Sequence, residues 1–99
     1  MLPGLRLEQY TLRQANIVLL VQARIAGEED EVIIFRGFSS SLGRPTAFDP
    51  DVPVLPATAE ILTIDILASP YSPENPRYLQ RGLSWADFQP LLTEVGLGE

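Results

Sequence analysis

The pattern that most constrains the fold is a pair of β-branched apolar runs set almost end to end. NIVLLVQARIAG (16–27) puts Ile17, Leu19, Val21, Ala23 and Ile25 on one face of a strand, while the other face, Val18, Leu20, Gln22 and Arg24, turns polar toward its end. EVIIFRGF (31–38) follows after a few polar residues. Period-two patterning in both runs predicts an antiparallel hairpin with Gly27–Asp30 as its loop. That loop length pairs Ile25 with Val32, Ala23 with Ile34, Val21 with Arg36 and Leu19 with Phe38. Arg36 then becomes the one charge on the core face, and a guanidinium there must find a partner, since an unpaired buried charge is costly. Asp49, Asp51 and Asp65 are the internal candidates, and an external anion is the other. A loop one residue longer or shorter would exchange the two faces. The hairpin is expected at the sheet's centre, because apolar strands of this kind on a free edge invite aggregation.

Three further segments complete the expected framework. RLEQYTLR (6–13), with Leu5 and Leu7 ahead of Tyr10 and Leu12, reads as a half-buried strand. AEILTIDILA (59–68) sets Leu62, Ile64 and Ile66 against Thr63 and Asp65, a further strand. LSWADFQPLLTEVG (83–96) reads as a C-terminal helix, with Ser84 as N-cap, Asp87 at the third helical position and a stripe of Trp85, Phe88, Leu92 and Val95. Trp85 is expected to anchor the core. Pro90 predicts a kink or two short turns, and Gly96 the stop. The expected class is α+β: one domain over residues 1–99, an antiparallel sheet of three to four strands, one C-terminal helix packed on it, and two long ordered proline-rich loops.

Composition narrows function mainly by exclusion. The 99 residues hold no cysteine, no histidine and no lysine. Thiolate, imidazole and Schiff-base chemistry, structural zinc sites and lysine phosphate loops are therefore unavailable. Only carboxylates, hydroxyls and arginines remain for chemistry, and no catalytic residue, metal ligand or cofactor is assigned. The net charge of −6 argues against nucleic acid and anionic membranes as partners. Because no apolar run approaches the length of a membrane span and MLPGLRLEQY carries no signal-peptide pattern, no membrane insertion and a cytoplasmic setting are expected.

Candidate sites fall in two stretches. RGFSSSLGRPTAFDPDVPVLP (36–56) carries Arg36, Ser39, Ser40, Ser41 and Arg44, hydroxyls and cations that could converge on a carboxylate or phosphate. The structural alternative is that the serines satisfy loop backbone groups while the arginines pair with Asp49 or Asp51. Prolines 50, 53 and 56 are spaced by three, as are prolines 70, 73 and 76, the repeat of polyproline II. Each triad either offers a ligand edge to an aromatic groove or stiffens a loop. A protein-contact surface would bring together Pro53, Tyr71, Pro73 and Tyr78. DPD (49–51) with Glu74, and GEED (27–30), are read as solvated turn acids rather than metal sites. Asp49 with Asp65 lacks any reason for a raised pKa, and so carries no acid–base role.

At RGFSSSLGRPTAFDPDVPVLP, SPYSPENPRYLQRGLSW and the apolar run between them, the chain resembles a family of small cyanobacterial proteins with plastid relatives, grouped as a domain of unknown function. The resemblance extends from about Leu7 to Leu92. It implies a cyanobacterial cytoplasmic or stromal setting and a link to the photosynthetic apparatus, with no functional residues to carry over. The function expected is a non-catalytic protein-interaction module, such as an assembly factor or accessory subunit, whose partner is another protein; a homodimer is compatible with this. The alternative is a binder of a small anion or phosphate-bearing ligand through the Ser39–Arg44 loop.

Overall fold

A computed structural model describes residues 3–42, 55 and 58–97 of the chain. Five antiparallel strands, β1 (Ile17–Ile25), β2 (Glu28–Phe35), β3 (Phe38–Ser41), β4 (Glu60–Ala68) and β5 (Tyr78–Leu83), lie in the order β3-β2-β1-β4-β5. Two helices, α1 (Pro3–Arg13) and α2 (Trp85–Glu94), pack on one face. The α+β class and the C-terminal helix are as expected. The sheet is larger than expected by at least one strand, and a second helix is present.

The additional helix is the segment read as a first strand. Leu7, Tyr10 and Thr11 are buried while Leu5 and Leu12 are exposed, a spacing of three and four that fits a helix and not an alternating strand. Pro3 occupies the first helical position, where its missing N–H costs no hydrogen bond, and Arg13 sits in the last turn, where a cation suits the helix dipole.

The β1–β2 hairpin is tighter than its acids suggest. Ile25 pairs with Glu28, so the connection is only Ala26 and Gly27, both at positive φ (53° and 83°). This is the signature of the two-residue turn whose twist matches that of the strands. The GEED acids therefore belong mostly to β2, and Val21 faces Val32 where Arg36 was expected. The shift is by an even number of residues, so Val32 and Ile34 keep the core face. Asp30 joins them, opposite Ala23. A second turn of the same kind follows at Arg36 and Gly37 (φ 49° and 84°), between Phe35 and Phe38. Arg36 is thus an exposed turn residue, its guanidinium 5.1 Å from the Phe35 ring centroid, and not a core-face charge. Since alanine is strained at positive φ whereas asparagine tolerates it, Ala26→Asn is expected to raise unfolding free energy by about 0.5–1 kcal/mol. Urea denaturation checks this; a lowered midpoint would refute the turn's role.

β1 is the central strand, flanked by β2 and β4, as expected for the hairpin. Its pairing with β4 shifts where Gln22 faces Thr63 but Ala23 faces Ile61, leaving Leu62 as the extra residue of a bulge. Leu19, Val21, Ala23, Ile25, Val32, Ile34, Ile64 and Ile66 form the sheet's contribution to the main core, under Leu7 and Tyr10 of α1 and Phe88 and Leu92 of α2. The Tyr10 and Phe88 rings meet edge to face, with centroids 4.9 Å apart and planes at 70°. Burial, with a smaller contribution from the Glu94 charge, raises the Tyr10 phenol above its ordinary value.

α2 begins as the sequence predicts. Ser84 Oγ accepts from the Asp87 backbone N–H, and Asp87 Oδ2 accepts from the Ser84 backbone N–H. Pro90 does not divide the helix, which runs unbroken to Glu94 with Phe88 and Leu92 buried. Packing of that stripe outweighs the one hydrogen bond that proline removes. Trp85 is only partly buried at the margin of the core, with the Arg6 guanidinium 5.6 Å from its ring centroid, so Phe88 is the aromatic anchor. Arg6 and Arg13 reach from α1 to the carbonyls of Leu97 (3.0 Å) and Val95 (2.6 Å), tying the two helices together where α2 ends.

Candidate functional site

The serine triplet is not a loop but the edge strand β3, and strand alternation divides it. Ser39 and Ser41 point to the face that carries the helices, where Ser39 Oγ donates to Glu8 Oε2 (2.6 Å) and Ser41 Oγ to Asp30 Oδ2 (2.6 Å). Asp30 also accepts from the Glu31 backbone N–H at 2.8 Å. Ser40 is exposed and pairs with Ile33 across the ladder. Two of the three hydroxyls are thus turned toward carboxylates, the opposite of what an anion would need. Arg36 is exposed at the turn preceding them, and Arg44 lies outside the described residues.

Near this edge an open hollow of about 350 Å³ is lined by Gln22, Glu29, Asp30, Glu31 and Leu42. Its wall is acidic, and Gln22 Nε2 donates to Glu31 Oε2 across it. Among the described residues no three potential ligands stand in a metal-binding group. Asp49 and Asp51 lie outside the described residues, and Glu74 is exposed.

The proline triads fare differently. Residues 50, 53 and 56 lie outside the described residues. In the second triad the Asn75 N–H donates to Ser72 O (3.2 Å), so Pro73 and Glu74 form a turn and not a polyproline helix, which has no internal hydrogen bonds. The base of this connection is closed by Ala68 N–H to Arg77 O (2.9 Å) and Arg77 Nη2 to Ser69 O (3.1 Å). Of the expected contact residues, Pro73 and Tyr78 are exposed, Tyr71 is half-buried, and Pro53 is not described.

The sequence reading places no strand at YLQRGL, which is β5. It is the outermost strand, and Tyr78, Leu79, Gln80, Arg81 and Gly82 are all exposed. Leu79 retains 57% of its accessible surface. Its register against β4 slips twice: Gln80 faces Ile66 but Tyr78 faces Leu67, two residues of β5 spanning one of β4, and Leu83 faces Ile64, three residues of β5 spanning two. Gly82 takes the positive φ (69°) of that bulge, and its N–H donates to Asp65 Oδ1 at 2.8 Å. Residues three apart on a regular strand face opposite sides. The slip between Tyr78 and Gln80 instead sets Tyr78 and Arg81 on one face, with the guanidinium 4.1 Å from the ring centroid. The readable signal was compositional: residues 77–83 contain two of the chain's seven arginines and none of its thirteen acids.

A five-stranded antiparallel sheet with two helices on one face and a basic, aromatic outer strand defines a small α+β protein with an exposed edge. The chain belongs to the family described as Domain of unknown function (DUF7734), whose model matches residues 4–92. No curated protein and no solved structure matches it. Among the described residues no helix is long and apolar enough to cross a membrane.

Proposed function

We propose that this chain is a non-catalytic protein-interaction module, an assembly factor or accessory subunit linked to the photosynthetic apparatus. The observation that carries the interaction reading is β5, an outermost strand on which every residue from Tyr78 to Gly82 is exposed, aromatic and aliphatic side chains included. An edge strand offers unpaired backbone groups as a template for pairing with another chain. The photosynthetic setting is supported by the resemblance to cyanobacterial and plastid proteins. The anion-binding alternative has less support, because Ser39 and Ser41 already donate to carboxylates and Arg36 stacks on Phe35.

The test is recovery of a partner by the tagged full chain from its native cells, beside a Tyr78→Ala/Leu79→Ser variant. Both positions are exposed, so the variant should melt close to the wild type. One protein is expected at near-stoichiometric yield with the wild type and at least tenfold less with the variant. Recovery of no specific protein would overturn the interaction reading.

A further inference from the structure

Resting on the interaction reading above, we infer that β5 takes an acidic, extended segment of a partner protein, added as a sixth strand and held by a carboxylate on Arg81. Three observations carry this. Backbone groups on the outer side of β5 have no neighbouring strand among the described residues, which suits an extended chain and not a helix. Arg81 is exposed, and among the described residues no carboxylate lies within ion-pair distance of it. The Arg81 guanidinium carbon stands 4.1 Å from the Tyr78 ring centroid, a contact that occupies no N–H donor, and the guanidinium fork suits two parallel hydrogen bonds to a carboxylate.

Charge selects among occupants. The chain carries −6 overall, so acidic molecules are repelled except near its arginines, and residues 77–83 hold two of these with no acid among them. An acidic segment docking there is discriminated from docking elsewhere on the molecule. A second copy of this chain is disfavoured: antiparallel pairing of β5 with itself would set against each other two strands that carry arginine and no acid to neutralise it. Nucleic acid is disfavoured by the small number of cations, since two arginines neutralise few phosphates.

The experiment is selection of a displayed library of random twelve-residue peptides on the intact chain, with Arg81→Glu and Arg81→Gln variants and an inert protein as controls. Arg81 is exposed, so both variants should melt within about 2 °C of the wild type. The wild type is expected to enrich peptides with Asp or Glu among β-branched or aromatic residues, perturbing backbone amide resonances of residues 77–83. Arg81→Glu should shift the preference at least tenfold toward Lys and Arg, and Arg81→Gln should abolish it without reversal. Enriched peptides whose perturbations fall elsewhere, or whose charge preference ignores both variants, would overturn this inference and leave the interaction reading standing. Nothing enriched above the inert control would overturn both. Binding of a twelve-residue oligothymidylate as tight as that of the best peptide would reassign β5 to nucleic acid. Sedimentation showing a dimer that Arg81→Glu dissociates would reassign it to a second copy.

Discussion

Phe88→Ala is expected to lower the free energy of unfolding by about 3–5 kcal/mol, a large part of the roughly 5–15 kcal/mol that a domain of this kind possesses. Phe88 is fully buried, packs edge to face on Tyr10, and sits where α1, α2 and the sheet meet. The space it leaves is bounded by three elements, so collapse to fill it would require all of them to move. Trp85→Ala should cost less, because Trp85 is only partly buried and one face of its ring is met by Arg6. Chemical denaturation of both variants checks the order. A larger loss for Trp85→Ala would place the aromatic anchor at the start of α2.

Thr11→Val should cost about 1–3 kcal/mol although shape and volume hardly change. The Thr11 hydroxyl is wholly buried; it donates to Glu8 O at 2.7 Å and accepts the Gly37 backbone N–H at 2.8 Å. Valine removes the acceptor and leaves that N–H without its partner at the β2–β3 turn. The turn cannot easily move away, since Gly37 lies against Leu12, whose Cδ2 would stand 3.0 Å from a Cβ at that position. Thr93→Val is the control, for the Thr93 hydroxyl bonds only to Gln89 O in an exposed part of α2 and should change stability by less than about 0.5 kcal/mol. Equal effects for the two threonines would remove the claim that α1 and the hairpin turn are coupled through Thr11.

The two longest strands, the last helix and most of the core were legible because each rests on local information. Period two over Ile17–Ile25 and Glu60–Ala68 needs only the alternation of side chains, and the Ser84–Asp87 capping box spans four residues. Residues 6–13 were not, since a helix with Leu5 and Leu12 left exposed resembles weak alternation until the sheet shows which side must be buried. The hairpin register failed for a related reason. Glu28, Glu29 and Asp30 read as loop, and only the positive φ of Ala26 and Gly27 made so short a turn possible.

Sequence by itself determined the antiparallel α+β class, the chemistry denied by the lack of cysteine, histidine and lysine, and an acidic net charge. Tertiary structure alone decided where each polar side chain of the candidate sites points. A serine triplet presents its hydroxyls to one side or both depending on whether it is loop or strand. Here the strand pairing with β2 sends Ser39 and Ser41 to Glu8 and Asp30. In the same way, the slip that opposes Gln80 to Ile66 and Tyr78 to Leu67 sets Arg81 on Tyr78, because side-chain direction in a sheet is fixed by register, and register belongs to pairs of strands.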